Sequence, residues 1–322
     1  MTERVVLAGG SGFVGRYLAE RYRERGMHVT VVGRTSEVTW TDPDALVRAV
    51  DGAHLLVNLA GRSVDCRYNA ANRAEILESR VGTTEALHFA VQRAAVPPPL
   101  WVNSSTATIY RHAVDRPMTE SEGELGEGFS VSIARAWEDA FFAGETPGTR
   151  RAALRMAIVL GDGSVLERLV QLSRWGLGGP QWDSPWFPSR ARRAVGTEHR
   201  YGAAWGRQKF SWVHVEDVYE IIDFLGEHPE LEGPINTSSP NPTDNVTLMR
   251  TLRAALRVPF GVPLPRPALE LGAAVLGTET ELVLKSRWVT PDRLEDAGYE
   301  FRHPGIDEAI RSNLGSLASA RI

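Results

Sequence analysis

Near the start of the chain, Gly9-Gly10-Ser11-Gly12-Phe13-Val14-Gly15 sets three glycines at G-x-x-G-x-x-G spacing. The β-rich run Val5-Val6-Leu7-Ala8 precedes it, and a segment in which Val14, Leu18 and Tyr22 recur every four residues follows. Strand, glycine turn and helix in that order suit a nucleotide diphosphate. Gly9 makes the tight turn, Gly12 lets backbone amides approach the pyrophosphate, Gly15 lets the helix pack on the strand, and the helix N-terminus faces the negative charge. Gly9, Ser11, Gly12, Phe13, Val14 and Gly15 are therefore the first cofactor candidates. After the next strand-like run, Val29 to Val32, stands Gly33-Arg34, where an NAD-binding chain carries an acidic residue for the ribose 2′-hydroxyl. A planar guanidinium pairs with a 2′-phosphate, so Arg34 points to NADP(H); the other reading is a solvated strand-end cation. In Asn58-Leu59-Ala60-Gly61, small residues at a strand's carboxyl end let a dinucleotide pass close to the backbone, which makes Leu59, Ala60 and Gly61 candidates beside an ordinary loop reading.

The elements that must position these residues follow from periodicity. Strands are expected at Val5 to Ala8, Val29 to Val32, His54 to Leu59, Leu100 to Ser104 and Ala153 to Val159, with amphipathic helices between them, one carrying Ile76, Val81, Leu87 and Val91. Alternation of this kind predicts an α/β fold, a Rossmann-type doubly wound parallel sheet over residues 1–160. Residues 161–322 read as a smaller mixed α/β region for substrate, with a strand from Phe210 to Val213, a helix from Val215 to Leu225, a strand near Ile235-Asn236, and helices from Val246 to Leu256 and Pro267 to Lys285.

The strand from Leu100 leads into Asn103-Ser104-Ser105-Thr106-Ala107-Thr108-Ile109-Tyr110, which resembles the active-site strand of extended short-chain dehydrogenases, sugar-nucleotide epimerases included. Glu78-Ser79-Arg80-Val81, Ala136-Trp137-Glu138, Leu154-Arg155, Val159-Leu160-Gly161, Gly176 to Gly179, Ser211-Trp212-Val213-His214 and Asn236 to Pro240 are similar to an atypical epimerase-like group with a C-terminal domain of unknown function. Pro291 to Leu294, Ala297-Gly298-Tyr299 and Phe301 resemble that terminal domain. The resemblance implies that Thr106 hydrogen-bonds the substrate oxygen near the nicotinamide, with Tyr110 the nearest phenol for proton donation, although the matching family tyrosine usually packs beside the cofactor. Ser104 either bonds the cofactor or satisfies the strand end. Short-chain dehydrogenases use Tyr-x-x-x-Lys on the following helix, where the lysine lowers the tyrosine pKa. The corresponding stretch, Phe129 to Glu138, has neither residue; Arg135 offers a positive charge but is no proton donor near neutral pH.

Arg80, Arg155, Trp212 and His214 are expected substrate-side residues. Arg80 and Arg155 lie in segments converging on the cleft and suit an anionic or carbonyl group; the alternatives are structural ion pairs for the arginines, a core position for Trp212 and a helix-entry cap for His214. The segment from about 181 to 209 departs from the epimerase-like group as an insertion. It mixes Trp182, Trp186, Phe187, Tyr201 and Trp205 with Arg190, Arg192, Arg193, Arg200 and Arg207. Few aliphatic residues accompany them, which suits a lid over the substrate or a homo-oligomer interface better than a nucleic-acid patch.

With 43% hydrophobic residues, 24% charged residues and a net charge of -4, no nucleic-acid or membrane partner is implied. The single cysteine, Cys66, excludes an internal disulfide and fits a reducing, cytoplasmic setting; no basic-apolar leader precedes the first strand. The eight histidines show no metal-ligand spacing, and no Gly-x-Ser-x-Gly elbow with a matching Asp and His follows a strand. The resulting expectation is an NADP(H)-dependent oxidoreductase or epimerase for a small carbonyl or hydroxyl substrate; the rival is a non-catalytic NADP(H)-binding sensor or scaffold.

Overall fold

Val5, Val6, Leu7 and Ala8 are each no more than 1% exposed, which requires cover on both faces of their strand. The computed structural model, which describes residues 2–163 and 165–319 and side chains through 315, supplies that cover. In chain order the elements begin β1 (Arg4–Ala8), α1 (Phe13–Glu24), β2 (His28–Gly33), β3 (Val38–Thr39), α2 (Pro43–Val50), β4 (Leu55–Asn58), α3 (Ala70–Arg93), β5 (Leu100–Thr106), α4 (Phe129–Phe142) and β6 (Arg150–Met156). They continue with β7 (Ile158–Leu160), α5 (Val165–Arg174), β8 (Gln181–Trp182), α6 (Arg190–Ala194), β9 (Lys209–Phe210), β10 (Trp212–His214), α7 (Val215–Glu227), β11 (Gly233–Thr237), β12 (Thr243–Asp244), α8 (Asn245–Leu256) and β13 (Leu264–Pro265). Helices α9 (Arg266–Leu276), α10 (Glu281–Leu284), α11 (Asp292–Asp296) and α12 (Ile306–Ser319) close the described chain.

A seven-stranded sheet in the order β11-β6-β5-β4-β1-β2-β3 runs parallel throughout. Val5 and Leu7 pack on the face covered by α1 and α7, and Val6 and Ala8 on the face covered by α2 and α3. The doubly wound α/β architecture thus agrees with the periodicity. It is not confined to residues 1–160, because β11 and α7 complete the sheet edge and one core layer.

Three expected elements are divided, each for a visible reason. The strand expected from Ala153 to Val159 breaks at Ala157, whose amide donates to Thr237 O, and β7 then leaves the main sheet to pair with β10. The run from Phe210 to Val213 splits at Ser211, whose amide and hydroxyl both donate to Arg287 O, so β9 pairs with β12 while β10 pairs with β7. The helix expected from Pro267 to Lys285 ends at Gly277, which adopts φ +70° and caps α9 before α10 begins.

The insertion is anchored from within. Asp183 accepts from Arg266 Nη1 at 2.7 Å and from the Gly202 amide at 3.2 Å, and lies 2.9 Å from His199 Nε2. Arg192 reaches Glu279 at 2.7 Å and Glu270 at 3.1 Å. Strand β8 adds to this by pairing with β13. Few aliphatic residues indeed line the segment, but a buried ionic cluster replaces them, so it is partly core; its exposed face holds Phe187, Tyr201 and Trp205. Arg266 is 1% exposed and also holds Glu270 at 2.8 Å, so removing Asp183 breaks a buried ion-pair network and leaves Arg266 Nη1 without its carboxylate. Asp183→Ala should lower unfolding stability by about 3–5 kcal/mol in urea titration, whereas Tyr201→Ala should stay within about 0.5 kcal/mol; equal small losses would show that the cluster carries no weight.

Candidate active site

The glycine turn joins β1 to α1 as the spacing predicts. Gly9 sits at φ +79°, and a Cβ there would lie 2.7 Å from the Leu59 carbonyl carbon; a Cβ on Gly15 would lie 2.6 Å from Gly9 O. Only glycine lets the turn, the helix and the end of β4 approach this closely. Gly12 is the N-cap of α1 and supplies no side-chain cap, while Ser11 and Gly12 are exposed and Phe13 and Val14 half-buried. The first-turn amides of α1 therefore remain available as donors for an anion. Arg34, just past β2, is exposed and makes no hydrogen bond or ion pair with another described residue. These features suit a dinucleotide diphosphate, with a free cation at the strand end next to the turn.

Beside the turn, the carboxyl ends of β4 and β5 are locked in register, Asn58 opposite Asn103. Asn58 Nδ2 donates to Asn103 Oδ1 at 2.7 Å and to Thr84 Oγ1 at 3.3 Å, and Asn58 Oδ1 accepts from the Ala60 amide at 3.0 Å. This buried amide pair fixes the backbone of Leu59, Ala60 and Gly61. Ser104 is buried, and Thr106 at the tip of β5 is half-buried, its hydroxyl accepting from the Thr108 amide at 3.1 Å.

Four expected chemical residues are placed in other roles. Arg155 is bidentate on Glu138, Nε at 2.9 Å and Nη2 at 2.7 Å, and donates from Nη1 to the Tyr110 oxygen at 2.9 Å. Tyr110, 1% exposed, donates a hydrogen bond from its hydroxyl to Asn236 Oδ1 at 2.8 Å, and burial raises its pKa. The phenol is thus enclosed by hydrogen bonds, and Arg155 is held in an ion pair with Glu138. Trp212 is fully buried beside Leu160 and Ala309. His214 caps α7, its Nδ1 accepting from the Glu216 amide at 3.2 Å, and burial together with neighbouring His303 pushes its pKa down to about 4. Tertiary folding also brings His214, Glu216 and His303 ligand atoms within 4.8 Å of one another, a grouping no sequence spacing reveals. There Glu216 is already shared by His303 at 2.9 Å and Arg302 at 2.6 Å.

Arg80 lies beside the end of β4. It lies against Gly61, faces the Trp137 ring at 5.0 Å, and donates only to the carbonyls of Arg62 and Ile76, both at 3.0 Å. Burial lowers its pKa to about 10. Arg135 is exposed on α4 and does not replace the missing lysine. The C-terminal segment instead sends Lys285 to the end of β5: Nζ donates to Thr108 O at 2.7 Å, and burial brings its pKa down to about 8. Arg287 follows, donating from Nε to Thr108 Oγ1 at 3.1 Å.

Residues 5–130 match the NAD dependent epimerase/dehydratase family, and residues 264–312 match a domain of unknown function, DUF1731. Over residues 5–130 the chain is similar to that epimerase family. It resembles the epimerase family protein SDR39U1 of Bos taurus, at 29% identity over 96% of this chain and 98% of that protein. Among solved structures, human SDR39U1 with NADPH superimposes with a TM-score of 0.81 at 27% identity, covering 97% and 99% of the two chains. The Thermus thermophilus UDP-glucose 4-epimerase in complex with NAD, at 18% identity, shares the fold with a TM-score of 0.72 over 98% and 99%. Lys285 and Arg287 fall in the part that matches DUF1731, which therefore supplies groups to the end of β5. No helix among the described residues is long and apolar enough to cross a membrane.

Replacing Tyr110 with phenylalanine leaves Arg155 Nη1 and Asn236 Oδ1 short of a partner. Tyr110→Phe should destabilise the fold by about 1–3 kcal/mol while leaving dinucleotide affinity unchanged. Intact stability with abolished turnover would instead restore the phenol to the chemistry.

Proposed function

We propose that this protein is an NADP(H)-dependent oxidoreductase or epimerase acting on a small carbonyl or hydroxyl substrate. The observation that carries the reading is the open glycine turn, with uncapped α1 amides and an unpaired Arg34 beside it, facing the same sheet edge as Thr106. A relative holding NADPH supports the choice of dinucleotide. Gly9, Ser11, Gly12, Phe13, Val14 and Gly15 would hold the diphosphate, Leu59, Ala60, Gly61 and Ser104 would border the dinucleotide, and Arg34 would take the 2′-phosphate. When bound, the nicotinamide supplies or accepts hydride at the substrate carbon.

The protein's own part is to hold the reacting oxygen and to move its proton. Thr106 Oγ1 hydrogen-bonds the substrate oxygen. Lys285 Nζ, two residues from Thr106 through the Thr108 carbonyl, protonates that oxygen during reduction and is reprotonated from water. Arg80 lines the inner wall beside Gly61.

In reduction Lys285 must be charged, so activity should be level at low pH and fall as pH rises through about 8, with the oxidation direction showing the reverse. Lys285→Met should remove that limb and slow reduction by about 10²-fold, followed as loss of reduced-nicotinamide absorbance. An unchanged pH profile would exclude the lysine. Arg34→Ala should weaken NADPH by about tenfold or more, as loss of a charge-assisted contact implies, with little change for NADH; equal losses in calorimetry would refute the 2′-phosphate assignment.

A second reading, a non-catalytic NADP(H)-binding sensor or scaffold, is favoured by the enclosed Tyr110 and the missing Tyr-x-x-x-Lys. Tight NADPH binding without oxidation across a panel of aldehydes, ketones and enones would select it.

A further inference from the structure

Among the described residues, the buried arginines Arg155 and Arg266 and the half-buried Arg192 each meet a carboxylate. Arg155 pairs with Glu138, Arg266 with Asp183 and Arg192 with Glu279, each at 2.7 Å. Lys285 and Arg287 are as deeply buried, 7% and 8% exposed, yet neither has a carboxylate oxygen within 4.0 Å among the described residues. Their donors go to neutral oxygens: Lys285 to Thr108 O, and Arg287 to Thr108 Oγ1, Leu282 O and Lys285 O. Glu281 lies near both but is bonded to Ser130 Oγ at 2.9 Å. A buried cation held only by neutral acceptors is costly, and an arriving anion relieves that cost.

Lys285 and Arg287 are among the residues lining a cavity of about 30 Å³ between α5, β9, α8 and α10. Lys209 adds a third positive charge to the wall, its Nζ standing 4.5 Å from the centroid of Trp288, and no carboxylate lines the cavity. Gln208 also lines it. Its Nε2 donates to Gln181 O at 2.9 Å, whereas its Oε1 is buried without a hydrogen-bond partner, in a side chain only 2% exposed. The remaining wall includes the apolar Ile158, Phe210 and Leu248.

We propose that this cavity seats the acid group of a short hydroxycarboxylate, the carboxylate facing Lys209, Lys285 and Arg287 and the hydroxyl donating to Gln208 Oε1. The volume bounds the size of the group: about 10–15 Å³ of such space holds one water, so the cavity takes a group the size of two or three waters, such as a carboxylate with its hydroxyl-bearing carbon, not a nucleoside. The unpartnered carbonyl demands a donor, which a hydroxyl provides and a simple carboxylate lacks. The link to chemistry runs through Thr108, which both Lys285 and Arg287 contact at the end of β5. As a statement about substrate this rests on the oxidoreductase reading above; as a binding site it stands alone.

The test is calorimetry on the full chain saturated with NADPH, at constant ionic strength, with glycolate, acetate, glycolamide and inorganic phosphate as probes. Glycolate should bind saturably, acetate about tenfold more weakly, and uncharged glycolamide not measurably. Lys209→Met should weaken glycolate by about threefold or more, and Gln208→Leu should erase the preference for glycolate over acetate. Both variants should keep NADPH affinity within about twofold, which reports an intact fold. Absence of glycolate binding, phosphate binding as well as glycolate, or unaltered glycolate binding in both variants would overturn the proposal. So would glycolate competing with NADPH in dinucleotide-free protein, since the anion would then sit on the glycine turn. Glycolate binding to a protein that oxidises NADPH with no aldehyde, ketone or enone of the panel would sink the oxidoreductase reading alone.

Discussion

The buried pairing of Arg155 with Glu138 is the contact on which the centre of this molecule turns. It joins β6 to α4, and through Ser105, Tyr110 and Asn236 it reaches β5 and β11. A desolvated ion pair is stable only when its remaining donors and acceptors are filled, and here they are: Ser105 Oγ donates to Glu138 at 2.6 Å, and Asn236 Nδ2 passes the chain of bonds on to Thr290 O at 2.9 Å. The same residues that a dehydrogenase reading would assign to chemistry thus hold the active-site strand in place. Tyr110 positions Thr106 by immobilising the turn that follows it.

Charge compensation separates scaffold from site. Asp183 with Arg266, and Glu279 with Arg192, tie the insertion to the segment beginning at Leu264 by fully matched charges. Around the end of β5 the matching stops. Arg80, Lys285 and Arg287 are buried against carbonyls and hydroxyls, and burial lowers the pKa of each. Fixed positive charge in a low-dielectric wall is what an enzyme arranges where negative charge arrives or develops. The free first-turn amides of α1 present fixed partial positive charge at the glycine turn as well.

The glycine turn, the strands around it and the parallel sheet were legible in the sequence because their signals are local: a period, a spacing, a flanking element. The pairs that decide what each side chain does are not local. Arg155 and Glu138 are 17 residues apart on different elements, and Lys285 meets Thr108 across 177 residues. No window of sequence contains both partners, so Arg155, Trp212 and His214 read as cleft residues and Lys285 did not register. The interior of the insertion is hidden for a related reason: a core made of ion pairs has no hydrophobic period. Its arginines were visible, but the carboxylates they answer to lie on α9 and just beyond it.

The sheet edge made by β6 is finished by β11, a strand that arrives only after the insertion, β9, β10 and α7 have been laid down. During synthesis, the first six strands must therefore wait with β6 unpaired on one side, its amides and carbonyls open to any extended segment. Closing that long loop makes the late pairing slow relative to local helix formation. A nascent chain halted inside the insertion would present an adhesive sheet margin, and the vectorial order of this fold places its greatest exposure to misassembly there.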